Sequence, residues 1–530
     1  MRFLTAYFIL LLCPMLAQDT ALAKNAFMGK DILQAFDFWN ITHPGTRFHS
    51  SFKPYLSSTY TSARDSLVPF SIYSFQNIFL SKHLISGSTK PDYSVQLHPI
   101  IDAEPGYDLL KKRSLLSLIA GTHVKANINS NFTFAATIIG GTMGFPFFLD
   151  TSVKKQKIIP EFGQGYGNGK SAYSFFDVTG YLSYTTKNKI FNVQAGRDKH
   201  FIGDGYRSVL LSDYSPANPY LRCNVNVWRL QYSVWYSWMY DVSTANGVKQ
   251  NFTNKYGTFH YLSYNVVKEF SIGLFENVIW RGTDSNQVRT FEVNYLNPLI
   301  FLRPQEYSVG SPDNSFIGFN FNATLFKKLK IYGQLGLDEF YTKEVKAGNG
   351  WWGNKQAWQL GAKYVNALGI KGLKLQLEYN EARPYTYSHG LPDQNYAHYG
   401  TPLAHPFGAN FKEIQGFVTY RHHRWELGTQ LMYALIGKDS SANSSNVGQN
   451  IFLSYNTRAN EYGNYTTQGL KTTVVQSHLK FTYFLIPNLN MRLELGYIQR
   501  SEKNGRGYGL ENPYIYLGIK TSFWNTYRDF

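Results

Sequence analysis

The chain has 530 residues, a formal charge of +17, 16% charged and 17% aromatic residues (Tyr 40, Phe 39, Trp 10), and a mean hydropathy of -0.30. After the N-terminal apolar run no stretch approaches the ~18 apolar residues of a helical span, so a membrane protein of this composition must cross with strands. Two cysteines, Cys13 and Cys223, exclude a disulfide framework and a thiolate metal cage.

Arg2, the apolar stretch Phe3 to Leu16 and the small residues after it have the order of a secretory signal peptide. Residues 1–17 are expected to be removed after Ala17, with a second A-x-A site after Ala23. Cys13 follows Leu12, where lipid attachment needs a small residue, so it is not read as an anchor. Its loss leaves Cys223 without an intramolecular partner.

Residues 24–91 lack clean alternation and are expected to form an N-terminal periplasmic segment, a cap or plug, with Ile78 to Ile85 (IFLSKHLI) as a short helix. An extended tether is the alternative. From residue 92 to 530 the chain breaks into segments of about ten residues with period-two alternation, separated by Asn, Gly, Ser, Asp and Lys clusters. Phe191, Val193 and Ala195 alternate with Asn192, Gln194 and Gly196. Leu373, Leu375, Leu377 and Tyr379 alternate with Lys374, Gln376, Glu378 and Asn380, and Met491, Leu493, Leu495 and Tyr497 with Arg492, Glu494 and Gly496. Lipid accepts only the first face of each. The fold class is therefore all-β, a transmembrane outer-membrane β-barrel of roughly 16–18 antiparallel strands. Phe530 fits a strand-closing aromatic only in part, because Ile515, Leu517, Ile519, Thr521 and Phe523 have the opposite parity. Either a bulge follows Phe523 or the last residues leave the strand.

Three blocks carry more than alternation. They are GRDKHFIGDGYRSVLLSDYSPANPYLR (196–222); NYLNPLIFLRPQEYSVGSPDN (294–314) with YGQLGLDEF (332–340) and GWWGNKQAWQLGAKY (350–364); and LQLEYNEARPYTYSH (375–389) with HYGTPLAHPFGANF (398–411). In order, they resemble the Wzi-type capsule-assembly family, in the branch that includes RemB-type gliding-motility surface proteins, over about Ser50 to Phe530. The resemblance implies an outer-membrane barrel with a helical segment at its periplasmic end, acting as a lectin that holds capsular polysaccharide at the cell surface. The N-terminal segment is shorter and less helical than that family's, so no extensive helical bundle is expected.

A lectin site needs aromatic faces for sugar rings and planar polar groups for hydroxyls and carboxylates. The candidate polysaccharide-binding residues are Arg197, Asp198, His200, Arg207, Arg222, Asp338, Glu339, Trp351, Trp352, Glu378, Arg383 and Tyr385. Arg197, Arg207, Arg222 and Arg383 would take acidic groups, while Trp351 and Trp352 would stack on rings. The competing role for each charge is bracing of the barrel wall. If Trp351 and Trp352 lie on a strand, at most one faces lipid.

The expected partners are an acidic capsular or exopolysaccharide and the outer-membrane lipid and lipopolysaccharide, bound by a monomer. Nucleic acid is excluded by export and by the absence of a motif. No enzyme is expected: Ser208 and Ser212 lie near His200 and Asp213 without a nucleophile elbow, and Asp338 and Glu339 on a strand would face apart. No metal or other cofactor is expected, since His389, His398, His405, His422 and His423 match no compact zinc spacing. The rival functions are a gliding-motility or adhesion component and an outer-membrane pore or transporter.

Overall fold

A computed structural model describes residues 25–45, 47–56, 85–90, 93–129, 131–167, 171–243, 245, 248–282, 292–301, 313–441 and 445–530. Eighteen long antiparallel strands run up and down from Tyr93–Asp108 to Gly509–Lys520, and the last pairs with the first through Tyr514 opposite Asp108 and Ile519 opposite Ala103. Closure leaves no long unpaired edge in the bilayer, where a bare N–H or C=O would have no acceptor or donor. The strand count falls inside the expected range.

Alternation sorts the side chains as the sequence requires. Leu377 is 56% exposed on the outer wall while its neighbour Glu378 is fully buried, and Phe176 stands 71% exposed on the same outer surface. Asn192 and Gln194 face in with Arg492 and Glu494, and Val193, Leu495 and Tyr497 face out. Among the described residues no helix is long and apolar enough to cross a membrane. The outward band of Leu, Ile, Val, Phe and Tyr is the lipid-facing surface of an outer-membrane barrel.

The two rims differ. Strands meet at one rim through short turns such as Trp228–Arg229 and Lys268–Glu269, and at the other mainly through long connections, among them 145–171, 199–217, 383–410 and 439–469. Short turns mark the periplasmic rim of such barrels and long loops the cell surface. The strand from Tyr93 begins at the short-turn rim and the strand ending at Lys520 returns to it.

The lumen is occupied by described parts of the chain. Helix α1, Lys30–Thr42, buries Ile32 and Phe36 and sets Asp37 2.6 Å from Lys363 and 3.5 Å from Lys374, two inward lysines near the short-turn rim. Phe52–Lys53 pairs with Phe201–Ile202 as a two-stranded sheet in the lumen. Of the helix expected at residues 78–85, residues 78–84 lie outside the described residues, as do residues 1–24 with the signal peptide. Ile85 begins a strand, Ile85–Lys90, that pairs with the start of the first barrel strand. Among the described residues of 24–91 the helix is α1, earlier in that segment than expected.

The question at Phe530 resolves in favour of departure from the strand. After Lys520 the backbone amides of Thr521 and Ser522 both donate to Asp102 Oδ1, at 2.8 and 3.1 Å, which replaces the strand ladder with a side-chain acceptor. Residues 521–530 then turn inward. Phe523 stacks on Phe27 at 4.2 Å, and Phe530 packs edge-on to Tyr214 at 5.0 Å. Helix α1 has no side-chain cap of its own, and Asn525 Oδ1 accepts from Lys30 N at 2.7 Å instead. A cavity of about 230 Å³ remains between α1, residues 524–529 and the barrel wall.

Candidate functional site

The candidate residues separate by depth into two groups. In the lumen, residues 199–217 leave the rim and fold inside the barrel, with Val209, Leu210 and Leu211 buried. Glu378 holds this segment: its carboxylate accepts from Tyr206 N at 2.7 Å, Arg207 N at 3.0 Å, Tyr332 OH at 2.8 Å and Asn380 Nδ2 at 3.0 Å. A Cβ on Gly205 would lie 2.5 Å from Glu378 Oε2, so this approach needs glycine. Gln334 accepts from Val209 N at 2.8 Å and donates to Ile202 O at 2.7 Å, while Gln359 donates to Arg207 O at 2.9 Å. From residues 383–410, Tyr387 OH reaches Val209 O at 2.7 Å and Tyr396 OH reaches Leu210 O at 2.8 Å. The first and third sequence blocks are therefore two halves of one lumenal packing.

The cations expected to bind acidic sugars are used here as braces. Arg207 is buried 3.1 Å from Asp529 and 3.4 Å from Glu413. Arg222 is buried and donates to Gln194 and, at 3.2 Å, to Asn25. Arg197 pairs with Asp177 at 2.5 Å, and Asp198 accepts from Lys199 N at 2.8 Å. Arg383 donates to the carbonyls of Asn354 at 2.8 Å and Asn464 at 3.4 Å. The structure places Arg207 and Arg222 in the buried interior and leaves Arg197 and Arg383 part-buried, on no common open surface. A strand tip reads the same in sequence whether its guanidinium turns to a ligand or to a wall carboxylate. His200 is stacked on Trp235 at 5.1 Å and meets Tyr220 edge-on at 4.7 Å, and Tyr385 is buried with its hydroxyl on Asn446 O at 2.8 Å.

At the long-loop rim the arrangement is open. Trp351 and Trp352 lie before the strand Lys355–Val365, not on it, so the parity expected of strand neighbours does not apply. Both indole N–H groups donate to Glu461 Oε1, at 3.1 and 2.9 Å. Glu461 Oε2 also takes Arg458 Nε at 2.9 Å, and the Arg458 guanidinium lies 4.4 Å over the Trp352 ring. Because Arg458 and the two indoles all favour the charged form, the Glu461 carboxyl is held below the usual carboxylate range. Trp352 packs on Tyr455 at 4.7 Å, and Trp351 on Tyr341 at 6.2 Å. Backbone bonds zip the two loops together, Trp352 N to Glu461 O at 3.0 Å and Asn464 N to Gly350 O at 2.9 Å. Gly350 has φ +70, and a Cβ there would lie 2.8 Å from Asn464 N. Tyr341, Tyr462 and Tyr465 are exposed around this platform.

Asp338 and Glu339 do not face apart. A register shift between Leu337 and Glu339 lets both carboxylates reach Lys355 Nζ, at 3.2 and 3.1 Å, beneath the Tyr455 ring. The bulge defeats simple strand parity. Glu461, Arg458, Tyr455 and Tyr341 were missed by sequence reasoning. The segment YNTRANEYGNYTT (455–467) is visibly aromatic and Asn-rich, but nothing local ties it to Trp351, more than a hundred residues earlier.

Ser208, Ser212 and Asp213 each bond a different partner. Ser208 Oγ donates to Ile202 O at 2.6 Å, Ser212 Oγ accepts from Tyr214 N at 3.0 Å, and Asp213 accepts from Tyr527 OH at 2.5 Å. The histidines do not converge: His398 accepts from Tyr240 N at 3.0 Å, His405 bonds Glu413 at 2.8 Å, and His389 accepts from Leu391 N at 3.2 Å.

No family model matches the chain, and no curated protein sequence matches it. Among solved structures it is similar to Wzi of Escherichia coli, described as an outer-membrane protein involved in group 1 capsule assembly and a carbohydrate-binding β-barrel. The TM-score is 0.60 at 14% identity, covering 94% of this chain and 99% of that one. OprD of Pseudomonas aeruginosa matches at TM-score 0.43 and 10% identity, over 82% of this chain and 96% of that one. The chain therefore has a Wzi-like outer-membrane barrel fold.

Proposed function

We propose that this protein is a non-catalytic retention device for surface polysaccharide, contributing to capsule assembly at the outer face of the outer membrane. The observation that carries this reading is the Trp351–Trp352 platform. Two indoles are fixed by one carboxylate on the long-loop rim, with Tyr341 and Tyr455 flanking them. Pinning the ring edges makes the aromatic cluster rigid; Arg458 and Tyr455 cover Trp352, so half-buried Trp351 and exposed Tyr341 offer the stacking surface for the C–H side of a sugar ring, at little entropic cost. The hydroxyls of exposed Tyr341, Tyr462 and Tyr465 can bond those of the sugar. The carbohydrate binding described for Wzi, on the same fold, supports this reading. A long polymer can engage many copies, so each monomer's site need only be weak.

The occupied lumen favours a holder over a conduit. The test is a glycan array with the detergent-purified protein, repeated at high salt. Binding that the Trp351→Ala/Trp352→Ala variant loses supports the platform, and loss of wild-type binding at high salt marks the ligand as acidic. Equal binding by wild type and variant, or steady conductance of the wild type in planar bilayers, overturns it.

A further inference from the structure

On the long-loop side some cations stand beside acids, with Lys438 2.7 Å from Glu502, Lys412 3.8 Å from Glu381 and Lys503 3.9 Å from Glu511, while Lys111, Lys112, Lys154 and Lys155 are exposed and, among the described residues, have no ion pair. On the short-turn side Lys187 and Lys189 share one turn and Lys327 and Lys328 another, and all four are exposed. Neither turn contains an acid, and among the described residues none of these four lysines has an ion pair. The turn at Lys268 supplies its own counter-charge, with Glu269 at 3.5 Å, and Arg421 pairs with Glu426 at 3.8 Å across the turn at His423.

Four of the basic turns on this side also carry an exposed ring, while the turn at Lys371 exposes Leu368 and Ile370 instead. Phe326 beside Lys327 is 88% exposed, and Trp228, under the guanidinium of Arg229 at 5.1 Å, is 67% exposed. Phe191 follows Lys189 closely, and Trp425 follows Arg424. A rim meeting only water gains nothing from bare Phe326 and Trp228 side chains, which cost hydration there. A bilayer interface suits both groups at once: the ring sits at headgroup level and the ammonium reaches a phosphate. Unmatched positive charge further selects lipids of net negative charge.

We infer that the short-turn rim binds anionic phospholipid of the periplasm-facing leaflet, with Lys187, Lys189, Lys327 and Lys328 on the headgroups and Phe326 and Trp228 in the interface. This binding surface is independent of the glycan platform at the opposite rim.

The test reconstitutes the full chain in bilayers of phosphatidylcholine and phosphatidylglycerol, extracts it gently, and measures the retained lipid by mass spectrometry. The wild type is expected to retain phosphatidylglycerol preferentially. A Lys187→Gln/Lys189→Gln/Lys327→Gln/Lys328→Gln variant should lose that preference by roughly tenfold. A matched variant on the long-loop side, Lys111→Gln/Lys112→Gln/Lys154→Gln/Lys155→Gln, should keep it. Equal loss in both variants would mean that net charge alone attracts the lipid, and retention in the first would remove the role of its lysines. Either overturns the inference. The wild type gives a readout that needs no variant to assemble: the preference must weaken as salt rises, and a salt-independent preference also overturns it.

Discussion

The lumen and the long-loop rim contain the same kinds of residue, Arg, Glu, Trp and Tyr, put to opposite use. In the lumen every oxygen of Glu378 is occupied, and Arg207 lies between Asp529 and Glu413. On the rim a single carboxylate, Glu461, fixes two indoles by their edges and Arg458 over Trp352, and leaves half-buried Trp351 beside exposed Tyr341. Buried charge without water must satisfy itself within the protein, so it becomes bracing; exposed aromatic surface with fixed edges stays available. Depth in the barrel, more than residue type, separates the two roles.

Removing the principal brace should sharpen that contrast most. Glu378→Ala leaves the Tyr206 and Arg207 amides without their acceptor, at about 1–3 kcal/mol each. Hydrogen exchange across residues 199–217 should rise and the unfolding midpoint in denaturant should fall, while glycan binding at the rim stays within about twofold of wild type. A collapse of binding with an unchanged midpoint would erase the division between lumen and rim.

The next effect is on pH dependence in the lumen. Glu161, in the connection 145–171, accepts from the Tyr527 amide, and burial pushes its carboxyl up from 4.5 to about 8. Its folded-state pKa lies above the unfolded value, so between pH 4.5 and about 8 the folded chain holds a proton that the unfolded chain has released. Stability from this group is complete below pH 4.5 and declines as pH rises through that window. Exchange protection of residues 521–530 should fall with rising pH, and Glu161→Gln should flatten the profile.

At the rim, the Trp351→Ala/Trp352→Ala variant should lose binding by about tenfold or more, from aromatic terms of about 0.5–1.5 kcal/mol each, with the unfolding midpoint little changed. Isothermal titration with an array-selected glycan measures the first and a denaturant titration the second. The smallest change is Asn525→Ala. It removes the acceptor that caps α1 and should cost about 1 kcal/mol, seen as faster exchange in residues 30–34 with no effect on glycan binding.

Barrel strands were legible because the information is local. Lipid on one side and a polar lumen on the other force period two on every strand, as at Leu377 and Glu378, and any window of ten residues reports it. The parity conflict at the C-terminal end was equally visible, but its resolution was not, since the acceptor that releases the chain is Asp102, more than four hundred residues earlier. The cap of α1 and the pairing of the Trp shelf with Glu461 were hidden for the same reason. Asp338 and Glu339 misled through a bulge, which shifts parity without a marker in residue type.

By itself, the amino-acid sequence determined that this chain crosses as a strand barrel and which face of each strand meets lipid. Tertiary structure alone decided which charges are spent inside. It folded residues 199–217 and 521–530 into the lumen, used Arg207 and Glu378 to hold them there, tied Arg222 to Asn25, and left the Trp cluster at the rim. The physical reason is that alternation records only the nearest solvent of each side chain, whereas a bond between residues hundreds of positions apart exists only once the barrel has closed.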